Sequence, residues 1–129
     1  MSDTLLLQVV SPERMLVEEQ VTEAQVPALN GFIGVLPGHA PLISQLMAGG
    51  VLTYQSEGKE KVIAVYGGFV EVQPDRVRVL ADAAEAREDI DLKVAREQLV
   101  KATASGDGDE QQRAQARVDA AATSGTSGH

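Results

Sequence analysis

The chain has 129 residues, a net charge of −8 and no cysteine, so it holds one domain, or one domain with an appendage. The empty cysteine column excludes a disulfide framework, thiolate metal sites and a cysteine nucleophile, and the two distant histidines, His39 and His129, do not make a zinc cluster. The acidic balance argues against a nucleic-acid partner, which needs clustered Lys and Arg.

Met1 to Val10 has one acid and no base, and its apolar run is too short for a signal segment. No stretch reaches the roughly 20 apolar residues of a membrane-spanning helix. A soluble product in a cytoplasm-like compartment is expected, with room for membrane association through an assembly. Residues 1–85 carry eleven acids and five bases, and residues 86–129 carry eight acids and six bases. All four aromatics (Phe32, Tyr54, Tyr66, Phe69) fall in the first part, which places a change of architecture near residue 86.

Thr4 to Val10 reads as a β-run closed by Ser11-Pro12. Val21 to Ala28 reads as another, with Thr22, Ala24 and Val26 on one face and Glu23 and Gln25 on the other. Asn30-Gly31 signals a tight turn. Val62 to Tyr66 is apolar throughout, as in a strand covered on both faces. Phe69 to Leu80 forms a hairpin: Val70, Val72, Val77 and Val79 share a face, Gln73 to Arg76 turns the chain, and Glu71, Arg76 and Arg78 lie opposite. The fold class expected is α+β, mainly β: an antiparallel β-sandwich or flattened barrel over residues 1–85.

From Glu85 to Ser105 there is no Gly, Pro or aromatic residue, and Leu92, Ala95, Leu99 and Ala102 make a helical stripe. Asp89 is the expected N-cap, with Asp91 in the first turn. Ser105 to Gly108 breaks the helix. Asp109, with Gln112 three residues on, caps a second helix whose stripe is Ala114, Val118 and Ala121. The pair is an antiparallel helical hairpin over residues 86–123, followed by a disordered tail at 124–129. Its thin, Ala-rich stripe implies weak docking.

Few residues invite chemistry. Gly49-Gly50 and Gly67-Gly68 are isolated pairs serving turns or bulges, and no phosphate-cradling motif occurs. A calcium loop starting at Asp107 would need Gly at its sixth position and Glu at its twelfth, where Gln112 and Val118 stand. His39 reads as a loop residue. Arg113 and Arg117, four apart on the second helix, either solvate its outer face or meet an acidic partner when the hairpin opens. Read from these residues alone, a sandwich that binds a small ligand under a helical lid is a competing function.

Leu7 to Glu13, Gln25-Val26-Pro27-Ala28, Gly34 to Leu42 with its LPGHAPL core, Tyr66 to Val72 and Val79 to Asp82 follow one another in an order that resembles the epsilon subunit of bacterial F-type ATP synthases. The resemblance is strong from residue 4 to about residue 100 and loose over the second helix. It implies a non-catalytic rotor subunit of the central stalk that binds the gamma subunit and the ring of c subunits and couples proton translocation to ATP synthesis. The location it implies is peripheral, on the cytoplasmic side of the bacterial membrane. By resemblance, the loop carrying Asn30, Gly31, Phe32, Gly34 and His39 faces the c ring or gamma. Phe32, at a position often polar in the family, either makes an apolar ring contact or turns into the core.

The resemblance also implies a hairpin that opens toward the alpha–beta hexamer and blocks ATP hydrolysis, with Arg113 and Arg117 as inhibitory contacts. A short second helix makes that inhibition weak or absent here. Ile90-Asp91-Leu92-Lys93-Val94-Ala95 keeps the frame of a family nucleotide motif, with Ile90, Asp91, Ala95 and Arg96 as its remaining candidates. Val94 replaces the motif arginine, so ATP binding is expected to be weak or absent and no cofactor is expected.

Overall fold

The computed structural model describes residues 3–123. Eight strands come first: β1 (Leu5–Val10), β2 (Met15–Val21), β3 (Glu23–Ala28), β4 (Gly31–Val35), β5 (Leu42–Gln45), β6 (Gly50–Ser56), β7 (Lys59–Gln73) and β8 (Arg76–Ala86). A 3-10 turn (Arg87–Asp89) leads to helices α1 (Leu92–Ser105) and α2 (Gly108–Ala122).

The strands make two layers that share the long strands β7 and β8. One layer runs β2-β1-β8-β7-β5, using residues 76–80 of β8 and 69–73 of β7. The other runs β4-β3-β6-β7-β8, using the opposite halves of the same two strands. All pairs are antiparallel except β1 with β8, which is parallel.

Gly67 and Gly68, at φ 72° and 112°, carry β7 from one layer into the other. A Cβ at Gly68 would stand 2.0 Å from the carbonyl oxygen of Leu80, so β7 and β8 approach here as only glycine allows. Crossing the glycines switches which residues face inward: Ile63 and Val65 before them, Val70 and Val72 after them, all join one core. That core also takes Leu5, Leu7, Val9, Leu52, Val77 and Val79, and it contains no residue of either helix.

The hairpin over residues 69–80 keeps the expected register, with Val70 opposite Val79 and Val72 opposite Val77. Residues 62–66 are covered on both faces as expected: Ile63 and Val65 point into the sandwich, while Val62, Ala64 and Tyr66 face a second cluster that includes Ala120 of α2.

Several local expectations are corrected. The turn between β3 and β4 is centred on Leu29-Asn30, one residue earlier than Asn30-Gly31, because Gly31 already pairs with Ala28. Thr22 is exposed at the joint between β2 and β3, while Ala24 and Val26 are buried. Strands β2, β4, β5 and β6 and the Glu57-Gly58 turn, where both residues take positive φ, were not read from the sequence. The run read as helical from Glu85 starts as strand, with β8 continuing to Ala86.

Candidate functional site

The junction between hairpin and sandwich gathers the polar chemistry of the fold. Helix α1 starts where the Asp91 carboxylate accepts from the backbone N–H groups of Lys93 (2.9 Å) and Val94 (3.3 Å). Asp91, not Asp89, is therefore the N-cap, and Asp89 lies in the 3-10 turn before it. Gly106, at φ 77°, closes α1 in the left-handed conformation. Asp107, not Asp109, caps α2 by accepting from the N–H groups of Asp109 (3.0 Å) and Glu110 (3.1 Å). In each case the true cap stands immediately before the first helical residue, where its side chain reaches forward to the free N–H groups of the first turn.

Helix α2 packs on β6 and β7, and α1 packs on α2. The buried residues of α2 are Ala114, Ala116 and Ala120, whereas Val118 and Ala121 stay half-exposed. The expected single stripe fails because α2 is covered on two sides and needs small residues toward both. At about 0.8 kcal/mol per buried methyl, three alanines contribute roughly 2 kcal/mol. Close approach compensates in part: a Cβ at Gly49 would lie 2.5 Å from Cα of Arg113, and Gly49 N–H donates to Oε1 of Gln112 at 3.3 Å. Gly49 is thus a docking seat, not merely a turn residue.

Arg117 ties four elements together. Its Nε and Nη2 donate to the two carboxylate oxygens of Glu85 on β8 at 2.8 and 3.1 Å, a fork-to-fork pair. Its Nη1 donates to Oε1 of Gln98 on α1 at 2.6 Å. The Tyr66 hydroxyl on β7 donates to Oε1 of Glu85 at 2.6 Å. The side chains of Arg117 and Glu85 are only 21% and 29% exposed, so this pair is better shielded than an ordinary surface bridge. Charge-assisted bonds of this kind contribute about 1.5–3 kcal/mol, comparable with the whole alanine interface.

Titration follows the geometry. Burial pushes the Glu85 carboxyl up, but the hydrogen bonds from Arg117 and Tyr66 and the guanidinium charge outweigh it, leaving a net downward shift. The hydrogen bond to Glu85 raises Arg117 further. Burial, then the bond to Glu85, raises the Tyr66 phenol. All three shifts favour the state observed: anionic carboxylate, cationic guanidinium, neutral phenol.

Arg117 therefore turns toward the sandwich instead of solvating an outer face, and its acidic partner in this conformation belongs to its own chain. Arg113 is exposed, with its backbone on Gly49. The residues of the degenerate nucleotide motif have structural work: Ile90 packs against the Val62 cluster, Asp91 caps α1 and Ala95 is buried, while Arg96 is exposed. A cleft of about 330 Å³ lies between the helices and Tyr66, lined also by Gln98, Glu110, Arg113 and Arg117, and the Tyr66 and Arg117 donors in it are already bonded to Glu85 and Gln98. Another cleft, about 440 Å³, is lined by Arg14, Tyr54, Lys61 and Glu88. Its Tyr54 phenol is pushed up to about 12 by burial and by the Glu19 and Glu88 carboxylates, so it remains a neutral phenol at ordinary pH.

The segment expected to be a contact loop is instead the β3–β4 turn, edge strand β4 and the loop after it, so Asn30 and His39 lie at opposite ends of β4. Asn30 and Gly34 are exposed, Gly31 is half-buried, and Phe32 points outward at 58% exposure, settling its direction against the core. Leu29 and Leu36 are exposed beside it in sequence. His39 is half-buried, its N–H bonding the Leu36 carbonyl at 3.1 Å and its Nδ1 lying 2.6 Å from the Ala40 carbonyl oxygen. Glu85, Tyr66 and Gln98 were not singled out from sequence. Only Arg113 and Arg117, by their spacing, gave a signal.

An eight-stranded sandwich with a helical hairpin folded onto one flank defines a two-part subunit architecture, and comparison with known proteins identifies it. Residues 4–87 match the family model described as ATP synthase, Delta/Epsilon chain, beta-sandwich domain. The ATP synthase epsilon chain of Solibacter usitatus is 58% identical over 99 residues, covering 77% of this chain and 73% of that one. That of Carboxydothermus hydrogenoformans is 47% identical over 102 residues, covering 79% and 75%. A chain in the Euglena gracilis mitochondrial ATP synthase (OSCP/F1/c-ring) superposes with a TM-score of 0.73 at 27% identity, covering 92% of this chain and 76% of that chain. The chain belongs to the ATP synthase epsilon family and is a non-catalytic subunit of that enzyme. Among the described residues, no helix is long and apolar enough to cross a membrane.

Proposed function

We propose that this chain is a central-stalk component of the rotor, holding the gamma subunit and the c ring together so that proton passage drives ATP synthesis. The observation that carries this reading is the apolar edge along β4: Leu29 in the turn before the strand, Phe32 on it and Leu36 just after it stand 53%, 58% and 57% exposed. Large apolar side chains exposed along one edge of a stiff sandwich mark a surface that a partner covers. The likeness to a chain from an assembly described as OSCP/F1/c-ring supports assigning that partner as the c ring.

A second exposed apolar group suits gamma. Phe69 and Leu80 are cross-strand partners on the outer face of the first layer, and Ile43 projects from the adjoining strand β5 at 73% exposure. A subunit gripped on two surfaces passes torque without slipping, which a single weak contact would not do. The complex is placed at the bacterial cytoplasmic membrane, with this chain peripheral on the cytoplasmic side.

The hairpin is a regulatory arm of weak inhibitory strength. Its folded position withdraws Arg117 from the alpha–beta hexamer, and ATP binding is weak because Val94 supplies no guanidinium. The test is capture by tagged gamma and by purified c ring. The Phe32→Asp chain is expected to fold with stability unchanged within about 0.5 kcal/mol and to lose the c ring while retaining gamma. If the folded wild-type chain captures neither, the rotor reading is wrong.

A further inference from the structure

We propose that Glu85, Arg117, Tyr66 and Gln98 form a latch, built wholly from this chain's own side chains, and that parting Glu85 from Arg117 is the step that frees α2 from the sandwich. The network reaches β7, β8, α1 and α2 at once. Among the described residues, the other contacts of α2 with the sandwich are less directional: alanine methyl groups, the close Gly49–Arg113 backbone approach and a 3.3 Å bond from the Gly49 N–H to Gln112. Small apolar contacts pull without direction, whereas the two-pronged Glu85–Arg117 bond is satisfied in one orientation only. Losing either partner also leaves the other as a shielded charge without its counterion, so the folded hairpin loses more than a single contact.

Tyr66 and Gln98 set the geometry. The Tyr66 hydroxyl holds Oε1 of Glu85 from the sandwich side, and Gln98 holds the third guanidinium nitrogen from α1. The Arg117–Gln98 bond lies within the hairpin and can stay made when Arg117 leaves Glu85, so α1 and α2 are expected to leave as a unit.

The latch is a property of the isolated chain. Its regulatory consequence rests on the reading above that the hairpin leaves the sandwich within the enzyme. The absence of native cysteine allows spin labels to be placed singly. Labels on Lys59 and Lys101, both exposed, would report the hairpin's position by pulsed dipolar spectroscopy. The wild-type chain should give one narrow distance. Glu85→Gln and Arg117→Gln should each raise the open-to-folded ratio at least about tenfold, as expected for losing a charge-assisted pair. The exchange Glu85→Arg with Arg117→Glu should restore much of the narrow distance, and Tyr66→Phe should have a smaller effect than either charge change.

Unchanged narrow distances in both single variants would overturn the latch, as would failure of the exchange to recover any closure in a folded chain. Sandwich amide spectra check folding independently of the labels. Hydrolysis by the assembled enzyme separates the two ideas. Opening with altered hydrolysis supports both, and opening with unaltered hydrolysis supports the latch and overturns the regulatory reading.

Discussion

Gly49 lies directly under Arg113: a Cβ on Gly49 would stand 2.5 Å from the arginine's Cα, closer than real Cβ contacts allow. The sandwich thus meets α2 backbone to backbone at one point. The polar network at Arg117 lies four residues further along the same helix.

Gly49→Ala should therefore lift α2 off its seat without disturbing the sandwich core, which has no helical residue in it. The expected penalty is about 1–3 kcal/mol, the range for overpacking a close contact. Hydrogen exchange should accelerate through α2 and leave β1 and β8 protected. Equal acceleration in both parts would show that hairpin and sandwich unfold together.

Docking should weaken in acid. The folded-state Glu85 carboxyl titrates below its ordinary value, so its contribution is fully present above the unfolded carboxylate pKa and is lost as pH falls through the lowered folded value. Arg117 and Tyr66 face the same carboxylate, and both are shifted upward, so neither changes charge in that window. A label-to-label distance followed from pH 6 downward should broaden below about pH 4.3. Glu85→Gln should abolish that transition.

Val79→Asp should destabilise the sandwich by several kcal/mol, about the cost of leaving a buried charge unpaired, since Val79 is fully buried opposite Val70. Urea denaturation measures this. An unchanged midpoint would contradict the hairpin register.

Truncation after Ser105 should leave a cooperative melt, because the main core draws on β1 to β8 alone. The loss of Ala120 uncovers Val62 and Ala64 and the loss of Arg117 unpairs Glu85, so the melting temperature should fall by several degrees, each 1 kcal/mol lowering it by about 4–8 °C in a domain of this size. A non-cooperative melt would make the hairpin integral to the fold.

Half of the strands, β1, β3, β7 and β8, were legible because their core faces alternate in sequence or run apolar throughout, whereas β4, β5 and β6 were not read as strands. Val70, Val72, Val77 and Val79 gave the register of β7 and β8 correctly, and the unbroken apolar run at 62–66 announced a strand with a cover on its second face. Strand β2 was not legible, since Met15 and Glu18 to Gln20 mix exposures at an edge where one side of the strand has no partner.

Glu85 shows why the junction escaped. The inward parity of Val77, Val79 and Ala81 continues to Ala83 and Glu85, which would drive a carboxylate into the core and so read as the end of a strand. The structure changes sides first: beyond the layer crossing, Ala84 packs on the core, and Glu85 shares its face with Tyr66 and Arg117. Only the positive-φ pair Gly67-Gly68 accounts for that switch, and its effect on β8 passes through a partner strand more than ten residues away.

By itself, the sequence determined an acidic, cysteine-free sandwich, a change to helix after β8, an arginine pair on α2 and the family, since these follow from composition, periodicity and contiguous motifs. Tertiary structure alone decided that Phe32 faces outward, that Gly49 seats α2, and that Arg117 is held by Glu85, Tyr66 and Gln98. Those are contacts between elements distant in the chain. Their geometry depends on how two layers cross and where a helix comes to rest, which no local pattern records.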